Sequence, residues 1–174
     1  MEALEAIRQK LPELAKDIKL NLQAVLGDSS LTPEQKWGVA VASAATVGNA
    51  ELLAATRADA AKAVPQGVID DALAAAVLMG MNNVYYRFRH TVEKPVYASK
   101  PARLRMNRMA QPAGGSKVNA ELFALAVSAI NNCAMCVNAH EKVVTEGGLS
   151  DDQVNDAMRI AATFAATAVA LTLV

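Results

Sequence analysis

Apolar residues recur at intervals of three and four along much of this chain, and that spacing is the feature that most limits its fold. The clearest run is Leu11, Leu14, Ile18, Leu22 and Val25. It is the stripe of an amphipathic helix, which Gly27 is expected to end. Val, Ile and Thr rarely alternate with polar residues, alanine is abundant, and aromatic residues are only 4%. Because Ala and Leu lose little side-chain freedom in a helix, the sequence predicts an all-α fold.

Two short motifs predict where helices begin. Thr32 is followed by Pro33 and Gln35, the N-cap, first-turn proline and third-position amide of a capping box. The helix after it is apolar nearly all round and is expected to be buried. Ser150 and Gln153 repeat the capping spacing before the last apolar segment.

Further helices are expected between these two. Asn49 is placed to cap a short helix, and Asp70 and Asp71 are expected in the acidic first turn of the next. Helical pattern resumes at Asn119. In total the sequence predicts about seven or eight helices in one domain, residues 1–174.

Charge and hydropathy exclude several functional classes. The chain has 17 basic and 17 acidic residues, so no overall field indicates nucleic acid or an anionic membrane. The longest apolar run, residues 160–174, is shorter than the roughly 20 residues that span a bilayer. The segment "MEALEAIRQK" lacks the basic and apolar regions of a secretory signal. We therefore expect a cytoplasmic protein that binds neither nucleic acid nor a membrane.

Residues 86–117 interrupt the helical pattern with prolines, glycines and basic side chains. The basic residues are Arg87, Arg89, Lys94, Lys100, Arg103, Arg105, Arg108 and Lys117. A long connection of this kind can contact a partner or a neighbouring subunit, or can be a solvated loop that keeps the chain soluble. Both interpretations stay open.

A weak internal repeat accompanies the helices. Residues 36–48 can be aligned with 121–133, which places Ser43 on Ser128 and Gly48 on Cys133. This pattern is consistent with an internal duplication in which only the second copy carries reactive side chains.

Both cysteines lie in the segment "NNCAMCVNAHE". If a helix of about residues 133–146 begins after the two asparagines, Cys133, Cys136 and His140 share one face. The positive end of the helix favours thiolates, and His140 could take the proton of Cys136. A disulfide across three residues restrains the unfolded chain only weakly, so reversible oxidation is a better reason for the pair.

The cysteine pair allows other interpretations. Zinc binding by Cys133, Cys136 and His140 needs a fourth ligand, and His90 is the only other histidine. Attachment of c-type haem needs His directly after the second cysteine, where the chain has Val137. The remaining alternative is a pair of buried helical cysteines that pack as small hydrophobic residues and have no redox or catalytic role.

Four segments carry a resemblance to a known family: "LPELAKDIKLNL", "MGMNNVYYR", "LRMN" and "ELFALAVSAINNCAMCVNAHE". They resemble the AhpD (alkyl hydroperoxide reductase D) family of the carboxymuconolactone decarboxylase-like superfamily. The resemblance implies an all-α fold, a homotrimer, and thiol-dependent peroxidase and disulfide reductase activity. It implies no bound cofactor.

The resemblance also implies partners. Electrons come from dihydrolipoamide on the lipoylated E2 subunit of a 2-oxoacid dehydrogenase complex, which lipoamide dehydrogenase serves. They pass to the peroxiredoxin AhpC or directly to alkyl hydroperoxides.

Residue roles follow from the same resemblance. Cys136 matches the cysteine that forms the sulfenic acid, and Cys133 matches its resolving partner, which can form a mixed disulfide with AhpC. Glu121 and His140 match the proton relay. The family often has His where this chain has Met135, so less acidic thiols and a slow peroxidase step are expected. Two alternative functions stay open: a carboxymuconolactone decarboxylase-like lyase and a non-catalytic metal or binding module.

Overall fold

The structure, a computed structural model, describes residues 1–174 and is all-α, which confirms the predicted fold class. Eight helices have nine or more residues, and two have four. Their bounds are α1 Glu2–Lys10, α2 Lys16–Gly27, α3 Pro33–Thr46, α4 Ala50–Ala60, α5 Gln66–Val92, α6 Pro95–Ala98, α7 Asn107–Ala110, α8 Lys117–Ile130, α9 Ala134–Glu146 and α10 Asp151–Leu171. None of them has the length and apolar character needed to cross a membrane.

Helices α3 and α8 form the centre of the molecule, where each packs against the other and against α5 and α10. One cluster of 36 buried residues makes the hydrophobic core. Burial of α3 is nearly complete from Trp37 to Ala44, as its sequence predicted.

The predicted helix starts are confirmed where a capping motif marks them. Thr32 accepts from the Gln35 backbone N–H at 3.2 Å, and the Gln35 side chain accepts from the Thr32 N–H at 3.0 Å. Ser150 and Gln153 repeat both bonds at 3.2 and 3.0 Å. These bonds satisfy amides that a helix start otherwise leaves unpaired.

The predicted helix through residues 11–25 is wrong in its first part. Leu11 is extended and Pro12 follows it, so α1 ends at Lys10 and a 3₁₀ turn separates it from α2. A residue before proline avoids the helical region, and proline has no N–H to donate. Leu14 consequently points outward and is 80% exposed, whereas Leu22 is 2% exposed.

Helix α5 begins earlier and ends later than the sequence suggested. It starts at Gln66, so Asp70 and Asp71 lie beyond its first turn. It continues through residues 86–92, which belong to the segment expected to be irregular. The helix ends at Val92, and the next residue, Glu93, has a left-handed φ of 52°.

Residues 93–116, which we call the strap, run back along α5 and are held to it at three points. Near its beginning, Tyr97 packs edge-on against Phe88 with ring centroids 5.2 Å apart. In the middle, the Asn82 side-chain amide contacts the Met106 sulfur. At the end, the buried Asp71 carboxylate accepts from Arg108 and from the backbone N–H groups of residues 113 and 114, each at 2.7 Å.

Two three-helix units, α3–α5 and α8–α10, are built alike. Helices α3 and α8 both have 14 residues, and both are capped by a hydroxyl residue, Thr32 in one and Ser116 in the other. Each ends in a turn with one left-handed residue, Gly48 or Asn132. The caps and turns therefore match Gly48 with Asn132 and Asn49 with Cys133, one residue away from the predicted alignment.

Candidate active site

The turn between α8 and α9 fixes the position of the first cysteine. Asn132 has a φ of 54°, a left-handed conformation that asparagine tolerates better than most residues. The Cys133 N–H then donates to the Ser128 carbonyl at 3.1 Å. Cys133 itself is the N-cap of α9, and no side chain caps the helix. The helix therefore begins one residue later than expected, and its first-turn amides lie beside the two cysteines.

Cys133 and Cys136 are joined by a disulfide, with their Cα atoms 5.3 Å apart. Cys133 is 2% exposed and Cys136 is 7% exposed. The positive end of α9 favours negative charge on either sulfur when the bond opens.

His140 lies one turn beyond Cys136 on α9, and its Nδ1 is 2.6 Å from a carboxylate oxygen of Glu121. The side chains are only 15% and 26% exposed. Glu121 lies in the second turn of α8, because the helix begins at Lys117, two residues before the expected start at Asn119. A carboxylate bound to Nδ1 fixes the ring orientation and leaves Nε2 as the nitrogen that can exchange a proton.

Metal ligation is not favoured by this arrangement. The two sulfurs are bonded to each other and His140 is bonded to Glu121. No group of three or more His, Cys, Asp or Glu side chains lies close enough together to hold a metal ion.

A buried polar network ties α5 to the turn before Cys133. The Asn83 amide donates to the Ser128 hydroxyl at 3.0 Å and accepts from the Asn131 side chain at 3.0 Å. Arg87 donates to the Asn131 carbonyl at 2.8 Å. Because Ser128 also holds the Cys133 amide, α5 positions the cysteine from two sides.

An open cleft of about 700 Å³ lies between the end of α5 and the start of α9. Its lining includes Cys133 and Met135 but not Cys136. From α5 it receives Arg87, His90 and Thr91. Cys133, although only 2% exposed, is therefore the cysteine that borders this cleft.

The structure joins the four residues singled out from the sequence in two pairs, Cys133 with Cys136 and His140 with Glu121, and places His140 one helical turn beyond Cys136 on α9. Sequence reasoning did not find Asn83 or Arg87 as part of the site. One signal was present, because two adjacent asparagines inside an otherwise apolar helix are unusual and need buried partners.

Comparisons with known proteins agree with this geometry. Residues 95–174 match the model of the carboxymuconolactone decarboxylase family. A protein named alkyl hydroperoxide reductase AhpD from Anaeromyxobacter dehalogenans strain 2CP-1 is 65% identical over 173 residues, which cover 99% of this chain and 92% of that protein. The chain belongs to the AhpD family.

More distant members of the AhpD family show the same extent of match. An AhpD from Anaeromyxobacter sp. strain Fw109-5 is 54% identical over 98% of this chain and 92% of its own length. One from Gluconacetobacter diazotrophicus is 49% identical over 97% of this chain and 92% of its own length. The likeness to AhpD proteins therefore extends over both three-helix units, whereas the family model covers the strap and the second unit.

Proposed function

We propose that this protein is an antioxidant thiol–disulfide oxidoreductase of the alkyl hydroperoxide reductase type. The observation that carries the proposal is the Cys133–Cys136 disulfide at the start of α9, with the His140–Glu121 pair one turn away. Relatives named alkyl hydroperoxide reductase support the reaction class.

In the peroxidase direction, Cys136 is the nucleophile. His140, oriented by Glu121, accepts the Cys136 proton, and the thiolate attacks the outer oxygen of an alkyl hydroperoxide. The O–O bond breaks to give a sulfenic acid on Cys136 and an alcohol, which takes the proton. Cys133 then attacks the sulfenic sulfur, and the disulfide forms with loss of water.

Reduction returns the pair to two thiols. A dihydrolipoyl dithiol attacks the disulfide through a mixed disulfide and leaves as the cyclic lipoyl disulfide. We infer that the donor is dihydrolipoamide on an E2 subunit of a 2-oxoacid dehydrogenase complex, which lipoamide dehydrogenase serves, and that AhpC is the acceptor. No cofactor is bound in this scheme. With Met135 between the cysteines, direct peroxide turnover is expected to be slower than exchange with AhpC.

A cytoplasmic homotrimer is part of the proposal. Support for oligomerisation comes from a row of exposed apolar side chains along α5: Val77 is 74%, Val84 59% and Phe88 45% exposed. Apolar rows of this kind are typical of subunit contacts. Light scattering on the purified protein tests the state directly, and a monomeric mass would contradict it.

A second candidate is a lyase, because the matched family model is named for carboxymuconolactone decarboxylase. Such a reaction would not need the cysteine pair. Alkylation of both thiols would therefore leave lyase activity intact but would abolish the oxidoreductase activity proposed above. A non-catalytic metal-binding role predicts stoichiometric zinc in the purified protein and loss of the fold on chelation.

The first experiment is the intact mass of the oxidised protein alkylated before and after brief exposure to free dihydrolipoamide. No added alkyl group before exposure and two after it would support a lipoyl-reducible pair. If both thiols are labelled from the start and mild peroxide does not protect them, the pair is not redox-active and the proposal fails.

A further inference from the structure

Charge is distributed very unevenly along this neutral chain. Residues 87–117 hold eight of the 17 basic residues and only one of the 17 acidic residues, Glu93. The rest of the chain therefore has an excess of acidic side chains. A field of one sign over a surface attracts molecules of the opposite sign and raises the rate at which they arrive.

Most of the positive charge of this region is not paired with carboxylates of the same molecule. Among its eight basic side chains, only Arg108 has a carboxylate partner, the buried Asp71. Arg87 and Arg89 are bonded to backbone carbonyls, of Asn131 and Ala98. Lys94, Lys100, Arg103 and Arg105 are exposed, and none of them is in a salt bridge. These side chains are therefore available to bind acidic groups of another molecule.

The strap is fixed beside the cleft that contains Cys133. Arg89 donates to the Ala98 carbonyl, and Phe88 packs on Tyr97, so the first part of the strap lies on the end of α5. The neighbouring α5 residues Arg87, His90 and Thr91 line the cleft, together with Glu93, the one acidic residue of this region. Basic surface and reactive sulfur are therefore adjacent.

We propose that the basic strap and the end of α5 form the docking surface for an acidic protein that carries the reducing dithiol. The inference rests on the proposed function and names how its electron donor is recognised. Charge complementarity selects an acidic partner. A dithiol carrier can supply, in one encounter, both of the electrons that the disulfide-bonded form accepts.

The chemistry at this surface balances. One thiolate of the carrier attacks the Cys133 sulfur, and Cys136 leaves as a thiolate at the positive end of α9. The second thiolate of the carrier then attacks its own mixed-disulfide sulfur, which releases Cys133. Two electrons pass to the protein, and the carrier becomes a cyclic disulfide.

The test uses peptides that contain one dihydrolipoyl-lysine flanked by aspartate and glutamate, by serine and glutamine, or by lysine. Stopped-flow loss of the protein disulfide is followed at low and high salt. We expect the acidic peptide to react at least about tenfold faster than the basic one at low salt, and the difference to shrink at high salt.

Two triple variants carry the same change in net charge. Lys94→Glu/Lys100→Glu/Arg105→Glu alters the strap, and Lys16→Glu/Lys19→Glu/Arg57→Glu alters α2 and α4, which do not line the cleft. The strap variant is expected to reverse the peptide preference, and the control variant to keep it. Free dihydrolipoamide, which is uncharged, should reduce both variants at the wild-type rate.

Three outcomes would overturn the docking surface. The peptides could react equally, or the control variant could change the preference as much as the strap variant. The strap variant could also lose its oligomeric state in light scattering, which would assign the strap to a contact between copies of this chain. Failure of free dihydrolipoamide to reduce the wild-type protein would instead contradict the proposed function itself.

Discussion

The two three-helix units have the same backbone arrangement but carry very different side chains at the start of their second helix. In the first unit, Asn49 caps α4 and accepts the Leu52 N–H at 2.9 Å. In the second, Cys133 holds the equivalent position and makes no side-chain cap. The next counterpart pair is Leu52, which is fully buried, and Cys136. Thus a capped, apolar helix start in one unit is an uncapped, sulfur-bearing helix start in the other.

The His140–Glu121 pair also has unreactive counterparts. His140 corresponds to Thr56, whose hydroxyl donates to the Leu52 carbonyl at 2.7 Å. Glu121 corresponds to Trp37, a buried core residue. The fold therefore forms the same helix–turn–helix without the candidate active-site residues. In the second unit, the candidate active-site residues occupy positions where the first unit has a helix cap and a buried core side chain, both of which stabilise the structure.

The largest expected effect is a loss of electron transfer, which only substitutions in the second unit should cause. Cys136→Ser or Cys133→Ser should lower electron transfer to the proposed acceptor AhpC by more than about a thousandfold, because neither variant can form the disulfide through which the electrons pass. The counterpart changes Asn49→Ser and Leu52→Met should keep transfer near the wild-type rate. A Cys133→Ser variant with full transfer would contradict the assigned roles.

Removing the carboxylate that orients His140 should have the next largest effect. Glu121→Gln is expected to slow peroxide reduction by about a hundredfold, because the ring loses its charged partner at Nδ1. The pH profile of the rate should change, and the fold should not. The matched control is Glu141→Gln. Glu141 follows His140 on α9 but does not bond to it, so this variant should behave as wild type.

Leu52 and Cys136 hold equivalent positions in the two units. Substitution by alanine should lower stability more at Leu52 than at Cys136. Leu52→Ala is expected to lower the free energy of unfolding by about 2–5 kcal/mol, because a fully buried side chain leaves a cavity. Cys136→Ala, compared with the reduced wild type, should cost about 1 kcal/mol. Urea titrations of the two variants measure both values, and equal losses would contradict the comparison.

Exchanging the caps should change stability in opposite directions. Asn49→Ala is expected to cost about 1 kcal/mol, since the Leu52 amide loses its acceptor. Cys133→Asn should be more stable than Cys133→Ala by a similar amount, because asparagine can accept the Cys136 amide. If the Asn and Ala variants at residue 133 unfold at the same urea concentration, the turn does not provide a capping geometry.

The smallest effect is expected at Gly48, the left-handed residue of the first turn. Gly48→Asn should change stability by less than about 1 kcal/mol, because asparagine tolerates this conformation and no atom lies within 4 Å of the new Cβ position. Asn132→Val, by contrast, should cost about 1–2 kcal/mol. Thermal unfolding separates these cases.

Local features were predictable from the sequence, and features set by packing were not. Capping boxes at Thr32 and Ser150 were found because their partners lie three residues away. The stripe through Leu14 was misread because Pro12 breaks the helix. The repeat was aligned one residue out of register, because small apolar residues fit many alignments equally well.

The same limit applies to the site. Spacing alone relates Cys133, Cys136 and His140, which lie on one helix. It could not pair His140 with Glu121, since that contact depends on how α8 packs against α9. Only the family resemblance had singled out Glu121. The contribution of Arg87 depends on the end of α5 reaching the turn at Asn131, which no local pattern encodes.

The Cys133 amide is held by the Ser128 carbonyl, and the turn before it by Asn83 and Arg87, none of which involves sulfur. Opening the disulfide therefore leaves the scaffold that surrounds it in place. Electrons can enter and leave without a folding step, and the oxidised and reduced proteins should be similarly resistant to proteolysis. In a cell under oxidative stress, the amount of this protein would then be independent of how much of it is oxidised.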